Sequence, residues 1–197
     1  MESPYKDKPV SEWLEITKEL VKSHPLSEKE IVEVVLSSWQ NIFDSKIGKR
    51  GFKIGADIFP KPQIMGFLLH ELIPLEFETR YPKLWRKEKT GSDKDLVHIP
   101  DDRFSVEIKT SSNPTSIFGN RSYAQEGNSA KKDKSAYYLT VNFGKFTEDI
   151  KTPPVIVKIS FGWLDHSDWL GQKSQTGQQS RLSPDVQANK LLVLYRK

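Results

Sequence analysis

The sequence predicts an α/β fold: a mixed central β-sheet of about five strands flanked by α-helices, with helices leading the chain. Three observations predict it. The N-terminal third carries apolar residues at helical spacing, most clearly Val32, Val35, Leu36, Trp39, Ile42 and Phe43. The middle of the chain, Asp93–Ser112, alternates apolar and polar residues on either side of Pro100-Asp101-Asp102, the pattern of two strands joined by a turn. Beyond it, Ala136–Phe143 and Pro154–Phe161 are short runs rich in β-branched and aromatic residues.

The elements follow in order. Ser11 caps a first helix, Glu12 to about Ser23, with Trp13, Leu14, Leu20 and Val21 on its apolar side. Ser27 and Glu30 form a capping box for a second helix, Glu28 to about Asp44, and Leu26 can staple onto Ile31. Lys46–Lys61 is a glycine-rich basic loop with a short strand at Phe52–Ile58. Such a loop can approach a phosphate backbone closely, though an ordinary solvated loop reads the same way. Pro62 opens a third helix and Pro74 closes it. That helix is apolar almost all round, which predicts burial, yet Glu71 sits within it. A buried carboxylate needs a partner, and Lys109, a metal ion or an arginine such as Arg80 would serve.

Glu76–Gly91 is charged and broken by Pro82; its basic residues flank Tyr81 and Trp85 as on a surface helix or a nucleic-acid contact. The hairpin comes next. After it, Ser116–Ser135 reads as a loop rich in side chains that bond phosphates and base edges: Asn120, Arg121, Ser122, Tyr123, Gln125 and Lys132. The strands Ala136–Phe143 and Pro154–Phe161 extend the sheet, and Lys190–Arg196 closes the fold. Between them Gly171–Ser183 contains Gln172, Gln175, Gln178 and Arg181 with no large apolar residue before Leu182. Its side chains can make two-pronged contacts to adenine and guanine, and a mobile polar loop is the competing reading. With no repeat and no internal linker, residues 1–197 read as one domain.

The chemistry concentrates in the hairpin. Strand side chains alternate, so Val106 and Ile108 face one way while Glu107 and Lys109 face the other. Asp95 stands near the start of the partner strand, and it shares their face if its opposed residue is odd-numbered; pairing with Lys109 does this. Two carboxylates and an ammonium on rigid strands suit a hard cation such as Mg²⁺, which also bridges to phosphate oxygens. An acid two residues before a lysine occurs three times, at Asp44, Glu107 and Asp149, and only Glu107 lies in a strand-like run with an acid-bearing strand upstream. A solvated face of alternating charges is the bland alternative.

Composition narrows the classes. The chain has 197 residues and no cysteine, which excludes a disulfide scaffold, a thiolate zinc site and a cysteine nucleophile. Its four histidines show no metal-ligand spacing. No apolar run reaches membrane-spanning length and no signal-peptide core opens the chain, so a cytoplasmic protein without a membrane partner is expected. The net charge of +4 permits a polyanionic partner.

Asp95 with Glu107-Ile108-Lys109, HELIPLE around Glu71, FGNRSYAQ and GQ…TGQQS occur in one order over one chain. Together they resemble a type II restriction endonuclease of the PD-(D/E)XK superfamily, and are most similar to the ScaI-type family, from about Pro9 to the C-terminus. Lys94 stands where the family motif has proline, which leaves Asp93 open beside Asp95. The resemblance implies a restriction-endonuclease-like core and a Mg²⁺-dependent homodimer that cuts double-stranded DNA at a short palindrome, in the ScaI type AGTACT with blunt ends. It also implies a companion DNA methyltransferase acting on the same site without a stable complex. Asp95, Glu107 and the Ile108 carbonyl would bind the metal, Lys109 would position the attacking water, and Glu71 would match the helical acid of such nucleases. A structure-specific or repair nuclease of the same fold, and an inactive DNA-binding module, are the alternatives.

Overall fold

The computed structural model describes residues 2–124, 134–147, 153–174 and 177–197. In chain order the elements are α1 (Val10–Ser23), α2 (Glu28–Asp44), α3 (Pro62–Arg80), β1 (Trp85–Lys87), β2 (Leu96–His98), β3 (Val106–Ser111), β4 (Phe118–Asn120), β5 (Ala136–Phe143), β6 (Ile156–Leu164), β7 (Trp169–Gly171), β8 (Gln179–Leu182), α4 (Pro184–Asn189) and β9 (Leu192–Arg196). They build a six-stranded sheet in the order β1-β2-β3-β5-β6-β9 and a three-stranded sheet in the order β4-β8-β7. The large sheet is mixed: β3 and β5 run parallel and the other pairs antiparallel. This is the expected mixed α/β architecture.

The helices form where the sequence supplies caps and an apolar stripe. Ser27 and Glu30 close both halves of a capping box at α2, and Leu26 and Ile31 are both buried. The α1 helix starts two residues earlier than its serine suggests: Pro9, not Ser11, occupies the cap position and no side chain caps it. The Phe52–Ile58 stretch forms only isolated bridges, Ile47 with Phe52 and Ile54 with Ile58, around glycines at positive φ.

Two expectations for α3 fail. Pro74 does not end the helix but lies buried inside it, and the helix runs on to Arg80. A proline there forfeits one main-chain hydrogen bond. Phe77, one turn further on and fully buried, shows what packing holds the continuation in place. Nor is the helix buried all round. Met65, Leu69, Ile73 and Phe77 enter the core, while Ile64, Phe67 and Leu75 stay exposed, because α2, β1 and β3 cover one side only. Gly66 sets how closely α3 approaches the sheet: a Cβ there would lie 2.7 Å from Thr110 Oγ1 of β3.

The central strand β5 is buried along its whole length, and its alternation separates two cores. Tyr137, Leu139, Val141 and Phe143 join the cluster under the three long helices. Ala136 and Tyr138 join a second cluster with Tyr123, Trp169, Leu182 and Val186, which lies toward the small sheet. Glu107 pairs with Tyr138 in register, so it too is turned toward the small sheet.

The structure corrects other boundaries. The charged stretch after α3 contains β1, an edge strand outside the hairpin, held by the fully buried Trp85. Three residues are too few to show a period. The strand starting near Pro154 runs through Leu164 as β6. The polar segment Gly171–Ser183 contains β8, anchored by buried Ser180 and Leu182, and is followed by the short helix α4. The hairpin register also shifts. Leu96 pairs with Val106, not with Ile108, because Asp102–Phe104 form a 3-10 turn and Ser105 spends its side chain accepting the His98 N–H.

Candidate active site and DNA-reading sheet

The β2–β3 register decides the site. Continued by one residue it sets Asp95 opposite Glu107, still an odd-numbered partner, so Asp95 shares the face of Glu107 and Lys109. The Asp95 carboxylate accepts the main-chain N–H of Ile108 at 2.6 Å. Lys109 Nζ donates to Glu107 Oε1 at 2.9 Å and to the Ile108 carbonyl at 3.0 Å. Glu107 is 2 % exposed, and Val106 and Ile108 are buried on the opposite face. Asp95, Glu107, Ile108 and Lys109 therefore converge on one spot.

A second side chain reaches Glu107 from outside the strand. The phenol of Tyr123 donates to the same Oε1. Burial, then the Glu107 charge, pushes this phenol well above its usual pKa range, so it remains a protonated donor. The α3 helix contributes His70, whose Nδ1 lies 3.7 Å from Asp95 Oδ2. Sequence reasoning passed over His70, although it adjoins Glu71.

Two candidate acids lie elsewhere. Asp93 accepts from Arg86 at 2.7 Å and from the N–H of Lys89, and the Arg86 guanidinium holds it well below the usual carboxylate range. It closes the loop before β2. Glu71 is neither fully buried nor paired with Lys109 or Arg80. Its carboxylate meets Lys87 at 2.5 Å and its side chain is 46 % exposed. It lines a cleft of about 600 Å³ together with His70, Glu88, Thr110, Ser111 and Gln179. β1 puts Lys87 within its reach.

The donors fit a hard cation. Two carboxylates and a main-chain carbonyl are oxygen ligands, and Mg²⁺ needs only one or two carboxylates because it keeps several waters. Among the described residues no three His, Cys, Asp or Glu side chains gather into one metal-binding cluster, so any such site relies on that mixed oxygen set.

The small sheet gathers the polar motifs. In β4–β8 pairing, Phe118 opposes Arg181 and Asn120 opposes Gln179; in β7–β8 pairing, Leu170 opposes Arg181. These five are exposed and stand on one face, while Ser180 and Leu182 point inward. Gln179 is the residue sequence reasoning missed. Its parity with Arg181 was available only once β8 was known to be a strand. It lines both the 600 Å³ cleft and a second cleft of about 650 Å³ over the small sheet.

The remaining expected contacts do not all fall on this face. Gln172 is exposed and extends β7, its N–H donating to the Gln179 carbonyl at 2.9 Å. Gln178 is exposed beside the strand, and its carbonyl accepts the Arg121 N–H at 2.7 Å. The Arg121 guanidinium donates to the Ser174 and Gly177 carbonyls, so it braces the loop. Ser122 is exposed, whereas Tyr123 faces the interior. Gln125, Lys132 and Gln175 lie outside the described residues. Lys46, Lys49, Arg50 and Lys53 are exposed on the glycine-rich loop.

Residues 3–195 match the family described as ScaI restriction endonuclease. The chain is 48 % identical over 195 residues to the "Type II restriction enzyme ScaI" of Streptomyces caespitosus, covering 98 % of this chain and 85 % of that protein. The chain belongs to the ScaI restriction endonuclease family and is an enzyme that cuts DNA at specific sites.

Proposed function

We propose that this enzyme hydrolyses double-stranded DNA at a short palindrome as a Mg²⁺-dependent homodimer, with a catalytic core of the PD-(D/E)XK kind. The observation that carries the reading is the convergence of Asp95, Glu107 and Lys109 around Ile108, on the face turned toward the small sheet. Asp95, Glu107 and the Ile108 carbonyl hold the ion. Bound there, Mg²⁺ supplies Lewis-acid stabilisation of the charge that builds on the phosphate oxygens. Lys109 keeps its ammonium beside Glu107, where it orients the attacking water and stabilises the same charge. Glu71 flanks the site from the mouth of the cleft, through Lys87 rather than Lys109.

The exposed row of the small sheet reads base edges, and the basic loop Lys46–Lys53 contacts phosphates. Residues 1–197 form one catalytic and reading unit, and two copies related by a two-fold axis match a palindromic target. The target in this reading is AGTACT, cut to blunt ends. A companion methyltransferase acts on the same site without a stable complex, and both work in the cytoplasm. Among the described residues no helix is long and apolar enough to cross a membrane.

A plasmid digest with Mg²⁺ and mapping of the ends tests this. Discrete fragments with blunt ends at AGTACT are expected. A smear identifies a nonspecific nuclease, and intact plasmid identifies a DNA-binding module.

A further inference from the structure

We propose that Tyr123 is a positioning residue that ties the DNA-reading sheet to the catalytic carboxylate Glu107; this deepens the reading of Glu107 as a metal ligand and rests on it. Tyr123 sits in the 3-10 turn Arg121–Ala124, which follows β4 directly. The start of that turn is pinned to the small sheet by the Arg121 N–H on the Gln178 carbonyl. The Tyr123 ring packs on Trp169 of β7 at a centroid distance of 5.3 Å. From this position its hydroxyl donates to Glu107 Oε1, the oxygen that also takes the Lys109 ammonium. Lys109 Nζ lies 4.7 Å from the Tyr123 ring centroid and Lys134 Nζ lies 4.3 Å from it.

Glu107 is thus fixed from two directions. Lys109 holds it from its own strand, and Tyr123 holds it from the module that carries Asn120, Gln179 and Arg181. Hydrogen bonds to a ligating carboxylate orient it for the ion and set its basicity. The Tyr123 phenol is 7 % exposed, so it is placed to serve Glu107 and not to touch bases. Engagement of the small sheet with DNA acts on Glu107 through this hydroxyl.

The substitution that isolates the hydroxyl is Tyr123→Phe, which keeps the ring, its contact with Trp169 and both cation contacts. The experiment measures Mn²⁺ binding to the full chain by electron paramagnetic resonance, together with kcat and cognate-duplex affinity. Tyr123→Phe is expected to weaken Mn²⁺ binding and lower kcat by ~10-fold or more, with duplex affinity within about twofold of the parent. Glu107→Gln and the double variant run in parallel. In the Glu107→Gln background, Tyr123→Phe is expected to change Mn²⁺ binding no further, since its only route is through that carboxylate. Parent-like Mn²⁺ binding and kcat in Tyr123→Phe, with both lost in Glu107→Gln, overturn the role of Tyr123 alone. An equal loss from Tyr123→Phe in both backgrounds also overturns it, as damage unrelated to Glu107. Retention of Mn²⁺ binding and cleavage in Glu107→Gln overturns the metal-site reading and this proposal with it.

Discussion

Asp95 reaches from the start of β2 to accept the N–H of Ile108 at 2.6 Å, inside the Glu107–Lys109 stretch of β3. One carboxylate therefore does two things: it completes a main-chain hydrogen bond and brings negative charge beside Glu107. The two roles separate by substitution. Asp95→Asn keeps an acceptor for Ile108 and loses the charge, so cleavage is expected to vanish while the melting temperature holds. Asp95→Ala also leaves the N–H unpaired, at a cost of about 1–3 kcal/mol. Glu107→Ala and Lys109→Ala are expected to abolish cleavage and leave duplex binding largely intact. EDTA is expected to stop the reaction, and Ca²⁺ to support binding with little or no cutting, because its looser coordination holds the water poorly in line. Full activity of any of these variants in a digest would sink the assignment.

Base reading is expected to follow the parity of β8. Gln179→Ala and Arg181→Ala each lose a side chain from the exposed row, and discrimination among related hexamers should fall by ~1–3 kcal/mol apiece. Gln178→Ala, off that row, should change discrimination less. Lys53→Ala should weaken binding to all duplexes alike and flatten the salt dependence. Competition binding with single-base variants of the site measures all four. A larger effect at Gln178 than at Gln179 would reject the sheet as the reader.

A buried ion cluster anchors the N-terminus to the C-terminal elements. Lys190 is 3 % exposed and its ammonium lies 2.8 Å from Asp168 and 3.3 Å from Asp165. It also sits over the rings of Tyr5 and Trp13, while Ser3 donates to Asp165. Lys190→Met strands two buried carboxylates, so a loss of about 3–5 kcal/mol is expected in urea unfolding. A loss under about 1 kcal/mol would show that solvent reaches the cluster.

Stability should fall in mild acid through His24. Its ring lies among Tyr137, Phe161, Phe104 and Trp85. Nδ1 accepts the Leu26 N–H, so Nε2 carries the proton and donates to the Phe104 carbonyl. Burial lowers its pKa from 6.5 to about 4. A depressed histidine binds fewer protons folded than unfolded, so its contribution is complete above the unfolded pKa. It is lost as pH falls from 6.5 toward about 4, by about 3 kcal/mol in all. Urea unfolding across that window should show the slope in the parent and a flatter one in His24→Gln. Identical slopes would remove His24 as the cause.

Local patterns in the sequence determined much of this protein. The capping box Ser27–Glu30 and the stripe of α2 arise from residues three and four apart. The alternation that turns Val106 and Ile108 inward and Glu107 and Lys109 to the other face is a property of neighbours. So is the buried run of β5. Tertiary structure decided what depends on distant segments. Whether α3 stops at Pro74 is settled by the packing of Phe77, and whether WRK is a strand is settled by the pocket around Trp85. The partner of Glu71 is Lys87 because β1 brings it there. Asp95 rather than Asp93 stands beside Glu107 because the β2–β3 register and the Arg86 ion pair hold them apart. Tyr123 looks like a base reader in a polar loop, and only the stacking of the small sheet against β3 and β5 turns its hydroxyl onto Glu107. A pattern within one segment says which face a side chain takes; what it meets there is set by surfaces that folding brings together from far along the chain.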